Sequence, residues 1–225
     1  MILCNPFPET CCFAVKGSTS DLDLIHPLEI ENGRVFSSIS RKAEFFSGRR
    51  CAHIALKKAG YPNLPVLRGR NRSPLWPFSI VGSITHGAAF AAAIIAKPHS
   101  GVMGLGIDIE DLSRKIKTDI TKHTLTDWEI EKWGHSPGLV SREVRIIFSI
   151  KEAIYKCFNP IDKIYLGFHD AEIIEMDETS FRARLLKEPF VKQIFCPVVL
   201  EGRLSYFENA VFAAIQIQEE QFWEK

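Results

Sequence analysis

Between residues 38 and 59 the apolar side chains recur at helical spacing, with Phe45, Phe46, Ala52, Ala55, Leu56 and Ala59 on one face. Gly60-Tyr61-Pro62 ends the run, so the pattern predicts one long helix. A second helical period comprises Val144, Ile147, Ile154 and Phe158. Ser141 is suited to cap it, and Ser149, Glu152 and Lys156 are left as a polar stripe. Between the two, Thr126-x-x-Glu129 has the form of a capping box opening a helix that Trp128 and Trp133 make bulky.

Short apolar runs at 11–15, 78–85, 88–96, 102–110, 164–175, 180–186, 196–206 and 210–217 read as strands. The runs 88–96 and 102–110 flank Lys97-Pro98-His99-Ser100-Gly101, which predicts an antiparallel pair joined by that turn. Residues 18–31 are polar and acidic. Residues 61–77 carry Pro62, Pro65, Pro74 and Pro77 beside Arg68, Arg70 and Arg72, and read as loop. The succession of helices and strands places the chain in the α+β class.

A chain of 225 residues can build one good core or two of about 110 residues each. With 28 basic and 27 acidic residues the net charge is +1, so nothing global demands nucleic acid or an anionic membrane. The first residues lack a basic leader, and no apolar run reaches the roughly 18–20 residues of a membrane span, so a cytoplasmic location is expected. Cys4, Cys11, Cys12, Cys51, Cys157 and Cys196 show no metal-binding spacing and no disulfide framework.

Chemistry concentrates in two acidic clusters. In Gly106-Ile107-Asp108-Ile109-Glu110 a strand points Asp108 and Glu110 to the same side. Two neighbouring carboxylates in an apolar strand repel each other and are costly to desolvate without a cation. In Lys151-Glu152-Ala153-Ile154-Tyr155-Lys156, Glu152 and Lys156 share a helix face. Alone, such a pair is most often a surface ion pair. Taken together, the oxygen-only donor set suits Mg²⁺, with Lys156 placed to meet phosphate.

Five segments carry a family resemblance. They are Arg41-x-x-Glu44-Phe45 followed by Gly48-Arg49-x-Cys51-Ala52; Pro65-x-x-Arg68; Pro74-x-Trp76-Pro77; Gly82-Ser83-Ile84-Thr85-His86; and the two acidic clusters. In this order, over residues 41–156, they resemble the 4'-phosphopantetheinyl transferases, in the larger class built as two similar halves. Phe148-Ser149, where the surfactin type commonly has Trp, points to the enterobactin side of that class.

The resemblance implies two similar α/β halves, 1–103 and 104–225, packed as a pseudo-dimer with the active site between them. An echo of Ala89-Phe90-Ala91-Ala92-Ala93-Ile94 in Val211-Phe212-Ala213-Ala214-Ile215 agrees with that. The implied reaction moves the 4'-phosphopantetheine of coenzyme A onto a serine of an apo acyl or peptidyl carrier protein. Adenosine 3',5'-bisphosphate leaves.

Asp108, Glu110 and Glu152 match the family's metal positions, for Mg²⁺ or Mn²⁺, and Glu152 also matches its proposed general base. Lys156 and His86 match phosphate contacts, with Ser83 and Thr85 flanking the histidine. Arg41, Arg49 and Arg68 match the grip on the coenzyme A 3'-phosphate, with Arg50 as the alternative to Arg49. Arg41 and Arg49 lie roughly 12 Å apart along a helix and must converge through their side chains. Two fused halves imply a monomer. Carrier recognition is expected near the acidic clusters and residues 111–145. Two competing readings remain, a Mg²⁺-dependent phosphodiesterase or nuclease and a non-catalytic coenzyme A-binding protein. The arginines of the first half argue against the former, and Glu152 with Lys156 against the latter.

Overall fold

The structure is a computed structural model that describes residues 5–16, 25–69, 72–113, 120–133, 142–162, 166–186 and 199–222. Two antiparallel sheets form its centre. The first comprises β1 (Thr10–Lys16), β4 (Val81–Gly87) and β5 (Phe90–Ala96), in the order β1-β5-β4. The second comprises β6 (Val102–Asp111), β7 (Ala171–Met176), β8 (Ser180–Leu185), β9 (Val199–Phe207) and β10 (Ala210–Gln218), in the order β6-β10-β9-β8-β7. Within residues 61–77, read from sequence as loop, β2 (Leu67–Arg68) and β3 (Pro74–Leu75) pair as a small ladder.

Strand alternation sorts side chains into layers. Phe90, Ala92 and Ile94 of β5 face Leu105, Ile107 and Ile109 of β6 and Phe212 and Ala214 of β10, forming a core between the sheets. The opposite face of β5, with Ala91, Ala93 and Ile95, packs on Cys51, Ala52, Ala55 and Leu56 of α2 (Ile39–Ala59). The outer face of the second sheet packs on Ile147, Ile150, Ile154 and Phe158 of α5 (Arg142–Asp162). The order is therefore helix, sheet, sheet, helix. The echoed segments lie in β5 and β10, each an interior strand of its own sheet.

Both long helices follow the sequence pattern. Ser38 caps α2, accepting from the Arg41 amide at 3.3 Å, and Gly60 closes it at φ 95°. Thr126 and Glu129 form the expected box ahead of α4 (Asp127–Trp133), with the Thr126 amide donating to Glu129 Oε2 at 2.8 Å. The proposed cap Ser141 lies outside the described residues, as do Cys4 and Cys196. Two shorter helices were not expected: α1 (Pro27–Gly33), which begins within the polar stretch, and the single turn α3 (Thr121–Thr124).

The expected pairing of the 88–96 and 102–110 runs is not what forms. β5 turns back on β4 through Ala88 and Ala89, both at positive φ (51° and 62°), and β6 joins the second sheet by pairing with β10. A run of apolar residues shows that a strand is buried, not which neighbour it takes. Here β6 has two faces to cover, one toward the first sheet and one toward α5, and an edge place in the second sheet meets both needs.

Candidate active site

Small residues decide how closely the site elements approach. A Cβ on Gly106 would collide with the Ala153 carbonyl, and one on Gly104 would lie 2.8 Å from the Cys157 carbonyl. With no side chain at either position, α5 rests on the backbone of β6. On the other side of β6, a Cβ on Gly87 would collide with the Ile109 carbonyl, so β4 runs close against it. β6 is thereby held between α5 and a strand of the other half.

Asp108 is the centre of this junction and is 7 % exposed. Its Oδ1 accepts from Lys156 Nζ at 2.6 Å and from Thr85 Oγ1 at 3.1 Å, and its Oδ2 accepts from Ser149 Oγ at 2.9 Å. Lys156 also donates to the Ile107 carbonyl at 3.3 Å and to Thr85 Oγ1 at 3.4 Å. Ser83 Oγ accepts from the Ile107 amide at 3.2 Å. Residues of β4, β6 and α5 thus interlock across the boundary between the sheets. Burial pushes the Glu152 carboxyl above its ordinary value, with Lys156 opposing and the Asp108 charge adding.

Asp108 and Glu110 do project from the same face of β6 toward α5, but Glu110 takes a different partner. Its Oε1 lies 3.3 Å from Arg145 Nη2, and Arg145 is 4 % exposed with a buried Nε that has no hydrogen-bond partner among the described residues. Among the described residues no group of three or more His, Cys, Asp or Glu side chains is gathered for a metal ion. The chemistry of Asp108 and Glu152 nevertheless fits one. Both present hard oxygens, and the Asp108 charge raises the cost of ionising Glu152, a conflict that a divalent cation relieves.

His86, at the end of β4, meets the first half. Arg41 Nη1 lies 2.8 Å from His86 Nε2 and 3.0 Å from Glu44 Oε2. A guanidinium only donates, so His86 Nε2 accepts and the ring proton sits on Nδ1, 4.0 Å from Glu44. Burial, then Arg41 and to a lesser degree Lys156, hold the imidazole below its ordinary value, with Glu44 opposing.

Beyond Arg41 the remaining arginines surround an aromatic pair. The Phe36 and Phe45 centroids are 5.3 Å apart. The Arg49 guanidinium lies 4.5 Å over Phe45, and those of Arg41 and Arg68 lie 6.0 and 5.4 Å from Phe36. Arg41, Arg49 and Arg68 are thus gathered around one aromatic pair, whose faces counter part of the repulsion between Arg49 and Arg68. Burial lowers Arg49 to about 10, with Glu29 opposing and Arg68 adding, and its Nε has no hydrogen-bond partner among the described residues.

One residue of weight, Glu29, escaped the sequence reading, and a second, Glu129, figures there only as part of a capping box. Glu29 and Glu129, both 0 % exposed, are the third helical residues behind their caps and play matching parts in the two halves. Glu29 accepts from the Val66 amide at 2.7 Å and lies 2.6 Å from His53 Nε2; Glu129 accepts from the Ile173 amide and from Lys151, each at 2.6 Å. Lys151 also donates to the Thr124 and Phe168 carbonyls, so this lysine of the second acidic cluster is structural. The Thr126-x-x-Glu129 signature was visible, and His26-Pro27-x-Glu29 is its less obvious counterpart.

Comparison with known proteins accords with this geometry. A profile of the 4'-phosphopantetheinyl transferase N-terminal domain matches residues 36–96, and one of the 4'-phosphopantetheinyl transferase superfamily matches residues 104–211. The chain is 32 % identical over 202 residues to 4'-phosphopantetheinyl transferase PptT of Mycobacterium tuberculosis, covering 87 % of this chain and 88 % of that one. It is 33 % identical over 178 residues to 4'-phosphopantetheinyl transferase Svp of Streptomyces mobaraensis (75 % and 66 %). It is likewise 33 % identical over 148 residues to enterobactin synthase component D of Salmonella typhimurium (65 % and 60 %), in keeping with the enterobactin-type features of its sequence. By similarity over nearly its whole length, the chain belongs to the 4'-phosphopantetheinyl transferase superfamily and is an enzyme of that class.

Proposed function

We propose that the chain transfers the 4'-phosphopantetheine of coenzyme A to a serine hydroxyl of an apo acyl or peptidyl carrier protein, releasing adenosine 3',5'-bisphosphate. One observation supports this above others. A row of cationic and polar groups runs from Arg49 and Arg68 through Arg41, His86 and Thr85 to Lys156, and ends at the carboxylates of Asp108 and Glu152. A nucleotide with a 3'-phosphate at one end and a pyrophosphate at the other suits such a row. A simple phosphodiesterase has no use for the arginine end.

In this reading residues 1–103 hold the 3'-phosphate, through Arg41, Arg49 and Arg68, and residues 104–225 hold the reacting phosphate. Lys156 is a mobile point charge that releases Asp108 to meet the pyrophosphate. Asp108 and Glu152 would hold Mg²⁺ or Mn²⁺, joined by Glu110 once it leaves Arg145, and the ion would supply charge neutralisation at the pyrophosphate. Glu152 receives the serine proton directly or through water. Ser83 keeps β4 in register with β6, Thr85 faces the reacting phosphate beside Asp108 and Lys156, and His86 meets the ligand from the Arg41 side.

The test is stoichiometric release of adenosine 3',5'-bisphosphate from coenzyme A, followed by chromatography. Release that requires both an apo carrier and a divalent cation supports the transferase. Release without a carrier would make the chain a hydrolase instead.

A further inference from the structure

Helix α1 reaches the arginine cluster from beneath. Glu29 and Asn32 are three residues apart and so share a face. Glu29 Oε1 accepts from the Val66 amide at 2.7 Å, and Asn32 Oδ1 accepts from the Arg68 amide at 2.8 Å. Amides two residues apart on an extended segment point the same way. Two side chains of α1 therefore satisfy one edge of β2, while β3 pairs on the other. An edge that would otherwise need water or another strand is pinned to a helix.

The same carboxylate reaches α2. Glu29 Oε1 lies 4.0 Å from Arg49 Nε, and Oε2 lies 2.6 Å from His53 Nε2. The junction is tight, since a Cβ on Gly33 would stand 2.7 Å from Cε1 of Phe46. Arg49 on α2 and Arg68 on β2 repel each other, and α2 meets β2 directly through one long hydrogen bond, from Arg49 Nη2 to the Leu67 carbonyl at 3.4 Å. Helix α1 is bonded to both sides, and its contacts with Val66, Arg68 and His53 are shorter than that one.

We propose that Glu29 and Asn32 are positioning residues that hold Arg49 and Arg68 at the spacing a phosphate monoester requires. This rests on the reading of those arginines as the grip on the coenzyme A 3'-phosphate. Neither residue touches the ligand. Their contribution is to fix two like charges before the anion arrives, so that binding does not have to order them.

The experiment measures Kd by calorimetry for coenzyme A and for 3'-dephospho-coenzyme A, using the full chain and its Asn32→Ala, Asn32→Asp and Glu29→Gln variants. The wild type should prefer coenzyme A. Asn32→Ala and Glu29→Gln should weaken coenzyme A about three- to tenfold while leaving the dephospho form alone, and Asn32→Asp, which keeps the acceptor, should restore the preference. Should Glu29→Gln fail to fold, Asn32→Ala decides by itself. A wild type that prefers coenzyme A beside variants that keep that preference, or lose both ligands equally, overturns the positioning role. A wild type without preference overturns the arginine reading, and the positioning role with it.

Discussion

Thr85 Oγ1 donates to Asp108 Oδ1 at 3.1 Å, joining a strand of the first sheet to a strand of the second at the point where Lys156 also docks. The site is therefore part of the contact between the halves. A change at Asp108 must be felt both in chemistry and in stability.

Asp108→Ala should lower transfer about a hundredfold or more, because the carboxylate and its hold on Lys156 are both lost. It should also cost about 1–3 kcal/mol in urea unfolding, since Thr85 and Ser149 lose a buried acceptor. Normal activity, or an unfolded protein, would contradict the assignment.

Neighbouring residues on α5 should behave oppositely. Lys151→Met leaves Glu129 buried without its cation and should destabilise by about 3–5 kcal/mol. Glu152→Gln removes a charge that burial disfavours, so it should raise the thermal midpoint at neutral pH while abolishing transfer. Thermal melts of the two purified variants make the comparison.

His86 should take up a proton when coenzyme A binds. Free, the imidazole is held below its ordinary 6.5, so it is neutral at pH 7 and the unfolded chain binds the extra proton. Stability should therefore fall as pH drops below 6.5, by a smaller amount in His86→Ala. A phosphate beside the ring raises its pKa again. Calorimetry near pH 6.5 in buffers of different ionisation enthalpy should show proton uptake that His86→Ala lacks.

Gly106→Ala should be far more damaging than its size suggests. The added methyl meets the Ala153 carbonyl, which is backbone and cannot rotate aside. A loss of about 3 kcal/mol is expected, with transfer falling because β6 and α5 no longer present Asp108 and Glu152 together. Unfolding and transfer assays on this variant test whether the close approach matters.

How much of this was legible depended on whether the controlling interaction was local. The two long helices and the Thr126 box follow from spacing and capping, which act within a few residues. The common face of Asp108 and Glu110 followed from strand alternation. Strand pairing did not: whether β5 takes β4 or β6 is decided by what covers β6, over a hundred residues away in β10. Helix α1 was hidden because its stabilising residue, Glu29, reads as surface until its partners Val66, His53 and Arg49 arrive from elsewhere. The arginine cluster was seen as a set of charges, but the Phe36 and Phe45 faces it rests on were not.

The most direct test is intact-mass spectrometry of several apo carrier proteins incubated with the chain and coenzyme A, with and without Mg²⁺. The account predicts a metal-dependent gain of one phosphopantetheine group on a carrier serine. Unchanged carriers across the panel, with coenzyme A bound by the chain, would contradict it and leave a coenzyme A-binding protein in its place.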